Sequence, residues 1–187
     1  NQELYRVARK KKDFQKAIEL ANENLALSKL LKLKEQESWC YLDLFKIYYH
    51  DLHNYSVGLE YLEKGLLLYQ GKYEFSWRCN YARELSYAAQ YQQAKEQIIL
   101  ASSSSSSKVD SLQLYYTTAE LFYEMENYQI AVENYERANS YFTEDNIYMY
   151  KPISCYLGDS YFYLGEYDTA INNYNKCLKH AKYQEDL

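Results

Sequence analysis

Small, apolar and aromatic residues recur along this chain, and two of its segments match in a register of 39 residues. The segment from Thr118 to Phe122 aligns without a gap with the segment from Leu157 to Tyr161. After each segment, a tyrosine, an alanine and a second tyrosine follow at the same offsets. The alanine and the second tyrosine are four residues apart, which places them on one face of a helix. Each copy therefore predicts a leading helix and a second helix joined by a short turn.

Earlier copies repeat this arrangement. The small residues of the second helices are separated by 41, 36, 37 and 39 residues; they are Ala17, Gly58, Ala94, Ala131 and Ala170. Five copies cover nearly the whole chain, over 1–36, 37–72, 73–109, 110–147 and 148–187. One proline and five glycines are too few for the many turns of a β-sandwich or an α/β fold. The chain is predicted to be all-α.

The copies resemble the tetratricopeptide repeat (TPR), which has L-G-x-x-Y in its first helix and A-x-x-x-F in its second. Leu157, Gly158 and Tyr161 match the first pattern, and Ala131 with Tyr135 is close to the second. The resemblance implies a right-handed α-α superhelix of about five helix pairs, in a single domain over 1–187. The long period is similar to that of bacterial TPR regulators and sensors. Lys46 replaces the expected glycine or alanine, so we expect a wider or shifted helix crossing in the second copy.

The small residues are explained by close packing within each hairpin. Two backbones approach closely only where alanine or glycine occupies the contact, so Ala131 and Ala170 should be intolerant of larger side chains. The aromatic positions of the second helices are expected in the core; they are Tyr55, Tyr91, Tyr128, Tyr167, Tyr135 and Tyr174. Asp110 with Gln113 predicts a capping box at the start of the fourth copy. The six serines before it, Ser102 to Ser107, predict a frayed helix end and a connection.

The charge distribution narrows the class of partner. The net charge of −5 argues against a general nucleic-acid-binding protein. Residues 1–36 carry a net charge of +4, and the remainder carries −9. We expect the basic cluster to be a solvated helix face, with a patch for an acidic partner as the alternative. The cluster consists of Arg6, Arg9, Lys10, Lys11 and Lys12.

The cysteines give no sign of a metal site. Four cysteines lie far apart without a C-x-x-C pair, so we expect four reduced thiols that pack as small apolar groups. No metal or other cofactor is predicted. No apolar run reaches the ~20 residues that a membrane-spanning helix needs. The sequence begins without methionine, which predicts a piece of a longer protein. The cytoplasm is favoured, and a periplasmic or secreted location is left open.

Catalytic motifs are not found in the sequence. There is no nucleophile elbow, phosphate-binding glycine loop, metal-binding histidine pair or dinucleotide fingerprint. His50 and Asp51 are adjacent, but no serine or cysteine is placed beside them by local spacing. The sequence therefore predicts a binding protein and not an enzyme.

The resemblance implies that the leading helices line a concave groove. Mapping the groove positions of the family onto this chain predicts contacts to a protein or peptide ligand. Asn80 and Arg83 can donate hydrogen bonds, aromatic rings can anchor apolar side chains, and Glu120 with Asp159 favours a basic residue in the ligand. The predicted contacts are Asp43, Ile47, His50, Asn80, Arg83, Tyr87, Tyr116, Glu120, Tyr123, Asp159 and Phe162, together with Cys79, Thr117, Cys155, Tyr156, Arg6 and Arg9.

Three functions follow from these features. The first is a protein- or peptide-binding TPR module that serves as the sensing or scaffolding part of a regulatory protein. The second is a structural role in which exposed ends or faces mediate self-association into a homodimer. The third, contact with nucleic acid through the basic amino-terminal cluster, is disfavoured by the overall charge.

Overall fold

The computed structural model describes residues 2–69, 71, 74–105, 107–142 and 150–185. These residues form ten α-helices and no β-strand. The helices are α1 (Gln2–Lys10), α2 (Phe14–Leu30), α3 (Lys34–Phe45), α4 (Tyr55–Leu68), α5 (Glu74–Tyr87), α6 (Tyr91–Ser102), α7 (Lys108–Glu124), α8 (Tyr128–Ser140), α9 (Tyr150–Tyr163) and α10 (Tyr167–Glu185). The chain divides into two compact units, Asn1–Glu74 and Phe75–Leu187, where the sequence predicts one domain.

A turn with one left-handed residue joins the two helices of every hairpin. A residue in the left-handed region ends each leading helix, as Gly165 does with a φ of 81°. After the left-handed residue of the second hairpin, Asn54 donates its backbone N–H to the Tyr48 carbonyl, six positions earlier. In the other four hairpins the corresponding N–H donates to a carbonyl five positions earlier, as Asn127 does to Phe122 at 2.9 Å. This is the hydrogen bond of a Schellman C-cap. The other left-handed residues in these turns are Lys12, His53, Ala89 and Glu126.

In the first unit, a π-helical segment accommodates Lys46. The π-helix spans Lys46–Asp51 and continues α3 toward the turn. The close approach to α4 then occurs at Tyr49, because a methyl group added at Gly58 would lie 2.8 Å from the Tyr49 Cβ. The crossing of the second copy is therefore shifted along the helix by the π-helix. Ala17 is fully buried where α2 packs in the core of this unit.

In the second unit, alanines occupy the helix crossings as predicted. Ala131 is fully buried on α8, and Ala170 on α10 is 1% exposed. Tyr135, also fully buried, packs with Leu112, Ile153 and other apolar residues from α7, α8 and α9. Large side chains from three helices thus fill the space around one small residue, which is the packing that the repeat requires.

The expected burial of the aromatic positions is wrong for two of them. Tyr55 and Tyr167 are 53% and 60% exposed, since each begins the second helix of its hairpin at the edge of its unit. Tyr91 and Tyr128 are partly buried. The Tyr91 hydroxyl donates to the backbone carbonyl of Glu124 at 2.8 Å. Tyr135 is in the core, and Tyr174 is partly buried.

The start of α7 differs from the predicted capping box by three residues. Ser107 is the N-cap, its hydroxyl accepts from the Asp110 N–H, and the Asp110 carboxylate accepts from the Ser107 N–H, both at 3.0 Å. Asp110 is therefore the third helical residue and not the cap. Earlier in the serine tract, the hydroxyls of Ser102 and Ser103 donate to carbonyls in the last turn of α6 at 2.7 Å. The tract ends one helix and starts the next.

The prediction of four reduced thiols is wrong for one pair. Cys155 on α9 and Cys177 on α10 form a disulfide, with 5.3 Å between their Cα atoms. They are 22 residues apart in sequence, but the hairpin brings them opposite each other at a separation that a disulfide can bridge. Cys40 and Cys79 are free and buried, as expected.

Candidate binding surfaces

Two adjoining cavities lie in the first unit. Their volumes are about 530 Å³ and 620 Å³, and both are lined by Arg6, Trp39 and Asp43. α1 and α3 supply these shared residues, and the second half of α2 supplies part of the smaller cavity. The cavities together resemble in size the pockets that hold small ligands or short peptide segments.

The smaller cavity has an apolar end. Leu27 and Leu31 are exposed by 50% and 56%, and they line this cavity with Leu33 and the Trp39 indole. Amide side chains from Asn24 and Gln36 supply hydrogen-bonding groups for a polar backbone. An apolar side chain of a ligand could be removed from water here while its backbone remains paired.

The larger cavity is charged. Its basic residues outnumber its acidic ones by four to three; they are Arg6, Arg9, Lys10 and Lys46 against Glu3, Asp43 and Asp51. Arg9 forms an ion pair with Asp51, and this pairing raises the pKa of the guanidinium against the opposing effect of burial. Lys46 pairs with Asp43 at 3.3 Å, and Arg6 pairs with Glu3 at 3.0 Å across an exposed helical turn. An exposed pair is weak, so Arg6 can exchange Glu3 for an acidic group of a ligand.

The structure separates the three contacts that the sequence predicts in this unit. Asp43 lines both cavities, and its backbone carbonyl accepts a hydrogen bond from the Tyr5 hydroxyl at 3.2 Å. Ile47 is fully buried in the core, so its assignment as a ligand contact is wrong. Ile47 lies in the π-helix and packs with Leu44 and other core residues of this unit. His50 is exposed and lies against the rings of Phe45 and Tyr49.

Trp39 is the cavity residue that the sequence reasoning missed. It lies four residues before Asp43 on α3, so both side chains lie on one helical face. Its ring also contacts the Tyr69 ring edge-on, with 5.5 Å between centroids. The spacing of four residues from the predicted contact Asp43 was the available signal.

In the second unit, the predicted contacts gather around a buried carboxylate. Glu120 on α7 is 3% exposed, and it accepts a hydrogen bond from the Tyr87 hydroxyl at 3.0 Å. Burial raises the pKa of Glu120 to about 7, although the nearby Arg83 guanidinium and the Tyr87 and Tyr116 hydroxyls lower it. The second carboxylate oxygen of Glu120 and the Tyr135 hydroxyl are buried without a hydrogen-bond partner among the described residues.

Tyrosine rings fill the space around this carboxylate. Tyr116 lies 5.9 Å from Tyr135 and 6.4 Å from Tyr156, and the Tyr135 and Tyr156 rings stack at 5.7 Å. Tyr116 and Glu120 are therefore buried, and a ligand could reach them only through a rearrangement. Their assignment as direct contacts on an open face is wrong, because tyrosines from α5, α8 and α9 pack over them. The predicted contacts Cys79 on α5 and Thr117 on α7 are also buried.

The remaining predicted contacts are at least partly exposed. Arg83 pairs with Glu84 at 3.5 Å, and Asn80 is partly buried one turn earlier on α5. Asp159 accepts a hydrogen bond from the Tyr174 hydroxyl at 2.7 Å. Tyr87 and Phe162 are exposed by 48% and 52%, whereas Tyr123 is partly buried.

The described residues offer neither a metal site nor a membrane-spanning helix. No group of three or more histidine, cysteine, aspartate or glutamate side chains could hold a metal ion in the part of the chain that the structure describes. None of the described helices has the length and apolar character that would let it cross a membrane.

Solved structures with the same arrangement of hairpins identify the fold. BtubC from P. vanneervenii is 16% identical, covers 98% of this chain and 79% of that one, and has a TM-score of 0.82. A putative kinesin light chain of Podosopora anserina with nearly identical TPR-like repeats is 16% identical over 97% and 93%, with a TM-score of 0.72. The chain has the TPR fold. The predicted resemblance and the all-α fold class are confirmed.

A third solved structure with the TPR-like fold is that of MamA. MamA from Desulfovibrio magneticus RS-1 is 14% identical over 98% of this chain and 94% of that one, with a TM-score of 0.70. No protein-family model and no curated protein matches the chain by sequence. The similarity therefore lies in the hairpin architecture, and the ligand has to be argued from the surfaces of this chain.

Proposed function

We propose that this chain is a protein- or peptide-binding TPR module and that the paired cavities of its first unit hold the ligand. The observation that supports the proposal is the adjoining pair itself, with an apolar end at Leu27 and Leu31 and a charged end at Arg6 and Asp43. The ligand that fits is a peptide segment with an apolar residue close to an acidic one. Its apolar side chain lies against Trp39, and its carboxylate approaches Arg6.

The exposed groups of the second unit extend this proposal. Arg83 and Tyr87 are offered as further contacts to a larger protein ligand. A role as the sensing or scaffolding part of a regulatory protein belongs to the same proposal, as does the cytoplasmic location. We assign no catalytic step to any of these residues.

Peptide selection tests the proposal directly. The full chain is used to select binders from a random dodecapeptide library, and the affinity of the best peptide is measured by isothermal titration calorimetry. Leu31→Gln should weaken binding at least about tenfold, because it removes apolar surface that the ligand covers. Leu30→Gln is the matched control, since Leu30 is the adjacent residue at the end of α2, is 78% exposed and does not line either cavity.

A second pair of variants tests the charged end. Arg6→Gln should weaken binding of an acidic peptide, whereas Lys16→Gln should not, although both residues form exposed i,i+3 pairs with a glutamate. Equal affinities for all four variants would remove the cavities from the proposal. Selection of no peptide above background would count against the binding function itself.

Self-association is the second candidate, and one observation favours it. Val132 on α8 is 4% exposed because it packs in the core with residues that include Ile153 and Leu157 of α9, the leading helix of the next hairpin. Ile171 occupies the same repeat position on α10 and is 58% exposed. A second copy of the chain could cover this face. Light scattering over a concentration series would show dimers that Ile171→Glu abolishes, and a monomer at every concentration would exclude this candidate.

A further inference from the structure

Five aromatic side chains form a continuous strip along the turn edge of the second unit. They belong to the end of α7, the start of α8, the end of α9 and the start of α10. The Tyr128 and Tyr163 rings stack at 4.5 Å, Tyr123 contacts both of them, and Phe162 lies 5.8 Å from Tyr163 and 5.6 Å from Tyr167. We refer to Tyr123, Tyr128, Phe162, Tyr163 and Tyr167 as the aromatic edge.

The aromatic edge is open to solvent. Phe162, Tyr163 and Tyr167 are exposed by 52%, 56% and 60%. Contiguous exposed aromatic surface is uncommon on a protein that has no use for it, because each ring left in water forfeits the free energy of its burial. The packing of the unit does not require these three rings to remain outside its core.

The surroundings of the aromatic edge are acidic. Residues 109–136 and 153–175 contain no lysine, arginine or histidine. Glu124, Glu126 and Asp159 lie close enough to Tyr123 or Tyr128 to act on those hydroxyls. Glu166 and Asp168 flank Tyr167 in the sequence. Partial burial and then the Glu126 carboxylate raise the pKa of Tyr128, and burial followed by Asp159 raises that of Tyr123. The Tyr123 and Tyr128 hydroxyls therefore remain neutral in a field of negative charge.

We propose that the aromatic edge binds a lysine- or arginine-rich segment of a partner protein. A cation over the face of an aromatic ring is attracted by the ring quadrupole, and exposed rings of this kind suit guanidinium groups best. The carboxylates on both sides supply the complementary charge and raise the association rate. An acidic partner is repelled by the same carboxylates. The cavities of the first unit favour an acidic ligand, so the aromatic edge is a second surface with the opposite preference.

The test uses octa-arginine, octa-lysine and octa-glutamate, each carrying a fluorophore, with the full chain in anisotropy titrations. Octa-arginine should bind most tightly, octa-lysine more weakly, and octa-glutamate should not bind. Phe162→Leu combined with Tyr167→Leu keeps apolar surface but removes two ring faces, so octa-arginine binding should weaken about fivefold or more. The matched control is Tyr55→Leu, which removes a ring that is 53% exposed at the equivalent repeat position in the first unit.

Two double variants that remove carboxylates complete the test. Glu126→Gln with Asp168→Asn should weaken octa-arginine binding more than Glu23→Gln with Glu133→Gln, which removes the same charge from exposed positions elsewhere. Unchanged affinity in the leucine variant would overturn the proposal. So would equal losses in the edge and control charge variants, because attraction would then come from net charge alone. Variants of the aromatic edge should still bind the peptide that is selected for the cavities of the first unit, so each proposal can fail without the other.

Discussion

The two units use the same hairpin template and fill its leading-helix face in opposite ways. In the first unit, charged side chains in ion pairs leave two cavities around Arg6, Trp39 and Asp43. In the second unit, tyrosine rings close the corresponding space over the Glu120 carboxylate. The net charges differ as well, at +1 for residues 1–74 and −6 for residues 75–187.

This difference shows that the small residues of the repeat determine the fold and leave the ligand chemistry free. Ala17 and Ala131 are both fully buried at helix crossings, one in each unit. The residues between the small positions then decide whether the face is open or closed. An open face can accept a peptide without rearrangement, whereas a closed face contributes stability.

The disulfide gives the largest expected difference between the units. Its reduction should destabilise the second unit by about 3 kcal/mol, because Cys155 and Cys177 close a loop of 22 residues in the unfolded chain. Urea unfolding followed by circular dichroism, with and without a phosphine reductant, measures the change. The double variant Cys155→Ser with Cys177→Ser should show no response to reductant. Four free thiols in the unreduced, denatured protein would contradict the disulfide.

The buried carboxylate should make the stability of the second unit depend on pH. Folding raises the Glu120 pKa from 4.5 to about 7, so the folded state binds more protons between these values. Stability therefore falls as pH rises through this range and levels off above it, with a total loss of about 3 kcal/mol. Glu120→Gln should remove this loss, so that its advantage over the wild type grows from pH 5 to pH 8. Urea unfolding of both proteins at several pH values from 5 to 8 measures this difference in the free energy of unfolding.

A matched variant isolates the buried group. Glu133→Gln removes an exposed carboxylate from α8 and should leave the pH dependence as it is. A Glu120→Gln profile parallel to that of the wild type would show that the carboxylate titrates normally, and the tyrosines would then not close this face.

The helix crossings should respond alike in the two units. Ala131→Leu overfills a fully buried contact and should destabilise the chain by about 1–3 kcal/mol. Gly58→Ala should also destabilise, because the new methyl group would lie 2.8 Å from the Tyr49 Cβ. Thermal melting measures both effects, with the exposed Ala26→Leu as control. An unchanged melting temperature for Ala131→Leu would contradict the placement of Ala131 at a close helix crossing.

The smallest effect concerns the hairpin turns. Ala89 has a φ of 56°, whereas the equivalent position in the last hairpin is Gly165. Ala89→Gly should stabilise the second unit by about 0.5 kcal/mol, since relief of left-handed strain exceeds the added entropy of the unfolded chain. Ala88→Gly, one residue earlier, should not stabilise. Chemical denaturation distinguishes the two, and a loss of stability in Ala89→Gly would contradict the turn geometry.

The hairpins could be predicted from the sequence because close crossings demand small residues at a fixed interval. Ala131 and Ala170 carry that signal, and Lys46 marked the one crossing that is shifted by a π-helix. The turns within the hairpins gave no comparable signal, since lysine, histidine, alanine and glutamate occupy four of their five left-handed positions. Their conformation is imposed by the packing of the helices on either side.

The candidate site was only partly predictable, for a related reason. Position on the leading helix identified Asp43 and Arg83, but it could not show whether neighbouring rings cover a residue. Its repeat position predicts that Glu120 faces the groove, but Tyr87 and Tyr116 cover its carboxylate in the structure. The disulfide was missed because only the paired helices bring Cys155 and Cys177 together.

One spectrum tests the central difference most directly, because each unit contains a single tryptophan, Trp39 in the first and Trp77 in the second. Amide-edited NMR resolves the two indole N–H signals, which Trp39→Phe and Trp77→Phe assign. On titration with the selected peptide, the Trp39 signal should shift in proportion to saturation and the Trp77 signal should not. A shift of Trp77 alone, with Trp39 unmoved at saturation, would contradict binding in the open cavities of the first unit.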